Sequence, residues 1–415
     1  MRKKAKPKND LGCLTLHDVF DSVPQSLDVT ISICETDCDV FGFDDFYDGL
    51  CTVLKSESAI GTTVGLTGQW GSGKSSAVRI AERILKEEGW SAEMVFFDAW
   101  PYADAASLTL GLFDQIRNQC ASRHWAKAKR IARAILNLFG TCQGEFGRIS
   151  QMIGKLDADP HFITDSLNNK LEKTGKRLIV VIENSDRSNV SCIKGLFAAI
   201  DGIFKLENTI FVVNYDEDVI KEGFEGRESL YLDKVISRKM NVPMPSQEDY
   251  AHVLRKCIGN ISEKFESRPD PGLINTLSEL ASTLMRNPRD CAILLNIVID
   301  YGKKASPHIN FVDFILIRFI DHTDNAFYRD MYDNRRYLVT PEPKLPHEKT
   351  EEFLDGCNLF FGCINKRYHE VIRRLVPNYS VFYLEESPPE WRSGKYPLSD
   401  ARYNEYYFSW AEHEF

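Results

Sequence analysis

Residues 68–75 read Gly-Gln-Trp-Gly-Ser-Gly-Lys-Ser, three glycines ahead of a lysine and a hydroxyl. A polyphosphate needs several main-chain N–H groups aimed inward, and side chains would block their approach. Gly68, Gly71 and Gly73 permit the unusual dihedrals and the close contact. Gln69, Trp70 and Ser72 fill the places between them, and Ser76 follows. Lys74 adds a mobile positive charge for β- and γ-phosphates, and Ser75 offers a hydroxyl to Mg2+. The octet matches GxxxxGK[ST] without a mismatch. The expected ligand is therefore a nucleoside triphosphate with magnesium. The sequence has no NKxD-type guanine motif, which makes ATP the default.

Such a loop needs a strand before it and a helix after it. "TTVGLTG" (62–68) is a β-branched run ending in glycine, and "SSAVRIAERILKEEG" (75–89) has the spacing of a helix. That helix would turn its positive N-terminal end toward the anion. Further strands are predicted within "EMVFFDAW" (93–100), "KRLIVVIENSDRS" (176–188), "NTIFVVNYDED" (208–218) and "RKMNVPMP" (238–245). The aliphatic run of 178–182 is the strongest of these signals. Strand alternating with helix argues for βαβ units and a parallel sheet. A helix is also predicted over 43–57 and a short strand over 28–34, while 1–27 reads as irregular. After Pro245 the pattern becomes helical.

The fold class expected is α/β: a parallel-sheet P-loop NTPase core of the additional-strand type, with a helical insertion and a C-terminal helical domain. The boundaries read from the sequence are a basic arm and lead-in over 1–40 and a core over 41–245. The insertion covers about 102–172, a helical lid 246–325, and an aromatic-rich region 326–415.

A phosphate loop works with an acidic residue at the end of a nearby strand, which holds the magnesium shell, and with a neighbour that polarises water. In "LIVVIENSDR", Glu183 takes the metal position and Asn184 the water position, where an amide is too weak a base to accept a proton. Metal contacts are thus expected from Ser75 and Glu183. The gap between Lys74 and Glu183 leaves room for an extra strand, filled by "EMVFFDAW". Asp98 ends that strand, beside the loop strand or one strand away. It is read either as a substitute base or as a hydrogen-bonded strand-end aspartate.

These motifs together resemble the KAP-family P-loop NTPases. The loop is similar to that family's "GxWGsGKSS", "FFDAWPY" (96–102) to "fNpWxy", and "ENSDR" (183–187) to "DDLDR". "YLDKVISRKMNVPMP" (231–245), "PRDCAILLN" (288–296) and "ARYNEYYFSW" (401–410) carry the likeness onward. The chain departs from the pattern at Asp98, where asparagine is expected, and at Glu183 and Asn184, which replace two aspartates. The resemblance implies an ATPase whose hydrolysis is slow, supported by a substitute base, or absent.

Asn214 ends a strand and is read either as a contact for the γ-phosphate or attacking water, or as a turn residue. Arg238 is read as an arginine finger toward a neighbouring subunit or as a surface ion pair. Arg289 is read as a second sensor reaching the phosphates, with nucleotide held between sheet and helical domains, or as a first-turn surface residue. "SRHWAKAKRIARAILNLFG" (122–140) is amphipathic and basic, suited to a membrane surface, a partner groove or nucleic acid, or to packing on the core.

Composition bounds the rest. The chain has 415 residues, 43% apolar and 27% charged, with net charge −9, which argues against general nucleic-acid binding. Its 11 cysteines are scattered without CxxC or zinc spacing, as in reduced cytoplasmic proteins. "MRKKAKPKND" lacks an apolar run and reads as a solvated arm, not a secretory signal. No stretch is long enough for a transmembrane helix. The resemblance implies partner proteins, some encoded nearby, possible homo-oligomers, and a part in bacterial anti-phage defence as a nucleotide-dependent switch or assembly factor. A hydrolysing motor acting on protein or nucleic acid, and a non-hydrolysing scaffold, are the alternatives.

Overall fold

Aliphatic runs flanked by charge become sheet here, and amphipathic runs become helix. A computed structural model describes residues 13–32, 38–90, 92–119, 168, 177–202, 206, 208–223, 234–304, 309–339, 347–376, 398–399 and 407–408. The chain divides into two compact units, one of residues 35–243 and one of residues 1–34 with 244–415.

Residues 13–32 belong to the second unit. Strand β1 (Cys13–Leu14) pairs in parallel with β2 (Thr30–Ile31), and helix α1 (Leu16–Asp21) lies between them. Thr15 and Asp18 close a reciprocal capping box that starts α1. These elements are too short to show periodicity, which is why residues 1–27 read as irregular.

In the first unit, α2 (Asp44–Lys55) precedes β3 (Thr63–Thr67), α3 (Lys74–Glu87), β4 (Ala92–Asp98) and α4 (Ala105–Gln119). Next come β5 (Arg177–Glu183), α5 (Val190–Gly202), β6 (Thr209–Tyr215), α6 (Glu217–Gly223) and β7 (Ile236–Asn241). The five strands form one parallel sheet in the order β4-β5-β6-β3-β7. Every residue of β3, β5 and β6 is buried. A parallel sheet covered on both faces requires this, and it explains why these strands are continuous apolar runs.

Alternation along β5 assigns the two faces. Leu178, Val180 and Ile182 join Leu108 and Ile116 of α4 and Leu196 and Phe197 of α5. Ile179 and Val181 join Leu50 and Leu54 of α2 and Val78 and Ala81 of α3. Buried Arg177 donates to the carbonyls of Leu54 and Ser56, each at 3.0 Å, and to Asn208 Oδ1 at 3.2 Å. This ties the start of β5 to the turn that enters β3.

The sheet order corrects one expectation. The strand that lies between β3 and β5 is β6, not β4, which forms the sheet edge. Asp98 is therefore three places from the loop strand. Parallel crossovers skip any number of places, so succession in sequence does not set lateral order.

The second unit continues with α7 (Gln247–Ser262), α8 (Pro271–Leu284), α9 (Pro288–Lys304) and α10 (Phe311–Thr323). Helices α11 (Asn325–Asp333), α12 (His347–Gly362) and α13 (His369–Leu375) follow. Ser246 with Asp249, Asp270 with Pro271, and Asn310 supply sharp N-terminal caps. The N-terminal segment is held by side-chain amides: Asn260 donates to the carbonyls of Val19 and Phe20, and Asn296 exchanges two hydrogen bonds with the backbone of Ile31. Among the described residues, no helix is long and apolar enough to cross a membrane.

Candidate functional site

The carboxyl ends of the parallel strands and the loop after β3 gather the chemistry. Register sets their order. Asp98 at the end of β4 is level with Glu183 at the end of β5, Ile182 with Val213 of β6, and Leu66 of β3 with Asn214. Moving along the edge from β4 to β3, one passes Asp98, Glu183, Asn214 and then the glycine-rich loop.

The loop is built as its sequence demands. Gly71 and Gly73 stand at φ +84° and +94°, in the left-handed region, and Gly73 caps α3. A Cβ on Gly68 would lie 2.5 Å from Ser72 Oγ. The loop closes with Ser72 N–H donating to the Gln69 carbonyl at 3.1 Å, and Ala77 N–H to Gly73 at 2.8 Å. Ser75 and Ser76 lie in the first turn of α3, half-buried. Lys74 Nζ donates to the carbonyls of Gly68, at 2.6 Å, and Gln69, at 3.1 Å.

Glu183 is buried, and Asn214 is 1% exposed. Ser72 Oγ and both polar atoms of the Asn214 side chain are buried and lack a hydrogen-bond partner among the described residues. An unpartnered buried amide costs about 1–3 kcal/mol, so these atoms face the place where a polar ligand belongs. The residues present fit a nucleoside triphosphate with magnesium. The glycine loop and Lys74 match phosphate oxygens, Ser75 and Glu183 are oxygen donors suited to a hard cation, and Asn214 is a buried amide near the end of the adjacent strand β6.

Asn184 adopts φ 54°, ψ 30°, in the left-handed region that asparagine tolerates. Its Nδ2 donates to Asp98 Oδ1 at 3.0 Å. Trp100 N–H donates to the same oxygen at 3.1 Å. Next to Asp98, Tyr102 stacks on Phe97 at 5.2 Å between centroids, and its phenol is raised above the usual range by burial, with Asp114 and Asp98 adding to the effect.

Two residues of "ENSDR" that carried no role in the sequence reading enter the site. Asp186 lies 3.8 Å from Lys74 Nζ and accepts from Asp216 N–H at 3.0 Å. Asp216 in turn accepts from Asp218 N–H at 3.1 Å, capping the start of α6. Arg187 places its guanidinium 5.3 Å from the Trp70 ring and 5.2 Å from the Trp100 ring. Both tryptophans are more than half exposed. The available signal was compositional: two tryptophans and an Asp-Arg pair beside strand ends.

Other predicted residues are not brought to this edge. Arg238 lies within β7, level with Val64 near the start of β3, and donates to Ser58 Oγ at 2.9 Å. Ser58 precedes β3, so in its own chain this contact is at the opposite edge from the loop. Arg289 belongs to the second unit, where its N–H donates to Asn287 Oδ1 at the start of α9. The amphipathic segment 122–140, the arm 1–10, most of "YLDK" (231–234) and nearly all of 401–410 lie outside the described residues.

The chain is similar to several known proteins. A curated relative is the phage T7 exclusion protein of Escherichia coli (strain K12), 21% identical over 368 residues. The match takes in 77% of this chain and 49% of that protein, so the chain spans about half the relative's length. Among solved structures, the Aeropyrum pernix ORC1 protein in complex with DNA is 11% identical with a TM-score of 0.39, over 77% of this chain and 83% of that one. The Aeropyrum pernix ORC2 protein, in ADPNP-ADP complexes, is 12% identical with a TM-score of 0.39, over 95% and 89%. The profile of the KAP family P-loop domain matches residues 43–331, from α2 to near the end of α11. With that match over more than half its length, and a phosphate loop seated between β3 and α3 of a parallel sheet, the chain belongs to the KAP family of P-loop NTPases.

Proposed function

We propose that the chain binds ATP with Mg2+ at the carboxyl edge of its sheet and acts as a slow, nucleotide-dependent switch or assembly factor in anti-phage defence. The observation that carries this reading is the convergence of the Gly68–Ser76 loop with Glu183 and Asn214, whose side-chain amide is buried without a partner among the described residues. The defence role is supported by the relative named a phage T7 exclusion protein.

Loop N–H groups and Lys74 hold phosphate oxygens. Ser75 and Glu183 hold the cation, Gln69, Trp70 and Ser76 frame the loop, and Asn214 reads the terminal phosphate or the water beside it. A bound triphosphate supplies a phosphoanhydride bond and the charge that the loop recognises. Asn184, in the position after Glu183, orients water without itself accepting its proton. The switch consists in Lys74 exchanging its loop carbonyls for phosphate and in Asn214 gaining a phosphate partner, with Arg238 acting toward a neighbouring copy. The acting form is cytoplasmic and works on partner proteins.

The test is titration of Mg2+–ATP and Mg2+–ADP, with hydrogen exchange of the protein in each state. ATP should bind, and protection should differ between the two nucleotides around the loop and β6. If Lys74→Ala binds ATP as well as the wild type, the site is elsewhere.

A further inference from the structure

The site contains a carboxylate that has no part in holding phosphate or metal. Asp98 is exposed at the end of β4, level with Glu183 on the neighbouring strand. Its Oδ1 receives two donors, Asn184 Nδ2 at 3.0 Å and Trp100 N–H at 3.1 Å. Oδ2 has no protein donor among the described residues. Two donors on one oxygen fix the orientation of the group and leave the other oxygen to solvent. A poised general base needs these two properties. Asn184, the residue one step beyond Glu183, spends its N–H2 on this bond and so keeps its carbonyl oxygen available to accept from water.

We infer that Asp98 and Asn184 form an acid–amide pair across the β4–β5 seam, in which Asp98 is the base that activates water and Asn184 is the positioning residue. This rests on the nucleotide-binding reading above.

In the step assigned to the pair, the water oxygen bonds to the terminal phosphorus as its proton passes to Asp98. The bond from that phosphorus to the bridging oxygen breaks, and its electron pair leaves on the diphosphate. Asp98 then gives the proton to solvent. The products are nucleoside diphosphate and inorganic phosphate.

A purely structural role predicts a different response to substitution. In Asp98→Asn the hydrogen bond to Asn184 is retained, since the asparagine oxygen accepts as the carboxylate did. If Asp98 only braced the loop, that variant would turn over ATP at the wild-type rate. As a base, its loss lowers turnover by about 100-fold while Mg2+–ATP affinity changes by less than about threefold. The exchanged double variant Asp98→Asn with Asn184→Asp should recover turnover to within about tenfold of wild type, because aspartate also tolerates the left-handed backbone at 184. A readout independent of turnover is the side-chain amide resonance of Asn184 in asparagine-labelled protein without nucleotide, which should move in Asp98→Ser.

Wild-type turnover in Asp98→Asn overturns the assignment. So does a wild type that binds Mg2+–ATP and does not hydrolyse it, a double variant no faster than Asp98→Asn, or an unmoved Asn184 amide in Asp98→Ser. Failure of the wild type to bind Mg2+–ATP is a separate result, which removes the nucleotide reading itself.

Discussion

Lys74 Nζ stands 3.8 Å from the Asp186 carboxylate, with both side chains about nine-tenths buried. The ammonium group also donates to two carbonyls of its own loop. Without a ligand, the loop's principal charge is thus satisfied from within, and phosphate must compete with Asp186 for it. Nucleotide affinity is then the difference between two partly desolvated pairings.

Replacing Asp186 by asparagine should reveal that competition. The neutral side chain still accepts from Asp216 N–H but releases Lys74. The expected outcome is a lower melting temperature without nucleotide and an ATP affinity increased by about tenfold, or about 1.4 kcal/mol. Isothermal titration and thermal melting measure both. Weaker binding in Asp186→Asn would mean that the carboxylate instead assists in holding the metal shell.

Arg187 joins the loop to the end of β4 through Trp70 and Trp100. Exposed cation–π contacts contribute about 0.5–1 kcal/mol each, so Arg187→Ala should destabilise the first unit by about 1–2 kcal/mol. Trp70 sits within the loop and should report its rearrangement. Adding ATP is expected to change the intrinsic fluorescence of Trp100→Phe, which retains Trp70, and to leave that of Trp70→Phe nearly unchanged. A nucleotide signal that persists in Trp70→Phe would place the moving tryptophan elsewhere.

The sequence revealed those elements whose physics is local. β3, β5 and β6 are buried on both faces, so their composition alone marks them, and the glycine loop carries its own conformational demands. Lateral order is a different kind of information. Nothing in "EMVFFDAW" says that its strand lies at the sheet edge, and this obscured the fact that Asp98 neighbours Glu183 and Asn184. The bond from Asn184 to Asp98 spans 86 positions and exists only through the β4–β5 register. Asp186 and Arg187 are visible in the motif "ENSDR", but their roles are not, because their partners, Lys74 and the two tryptophans, are also far away in sequence. Arg238 fell within β7 instead of before it, which turned its side chain toward Ser58.

Arg177 gives a test of how the first unit is braced. It is buried, pairs with Glu57 at 2.9 Å, and satisfies the carbonyls of Leu54 and Ser56. Glu57 itself is 86% exposed, so the ion pair contributes little and the carbonyl bonds dominate. Arg177→Met should lower stability by about 2 kcal/mol, since it removes the donor to the buried Leu54 carbonyl, while the Ser56 carbonyl still accepts from Ala59 N–H. Glu57→Gln should cost less than about 1 kcal/mol. Urea unfolding of both variants checks the ranking, and equal losses would show that the ion pair matters more than its exposure suggests.

Asp313 of α10 predicts how the second unit responds to pH. It is 2% exposed, accepts from Leu398 N–H at 3.1 Å, and lies 3.9 Å from Arg374. Burial pushes its carboxyl from 3.8 up to about 6, opposed by Arg374 and by the Leu398 hydrogen bond. A carboxyl raised on folding binds its proton more tightly in the folded state than in the unfolded chain. Between pH 6 and pH 4 the folded form is therefore protonated first, and this group adds stability as pH falls through that window. Above pH 6 the folded state carries the charge at a cost. Asp313→Asn keeps an acceptor for Leu398 and cannot titrate. The stability of wild type minus that of the variant should accordingly rise as pH is lowered from about 6 to about 4, by up to about 3 kcal/mol for a shift of this size. Urea unfolding of both proteins across that range measures the difference, and a flat or falling difference would show that Arg374 holds Asp313 ionised throughout.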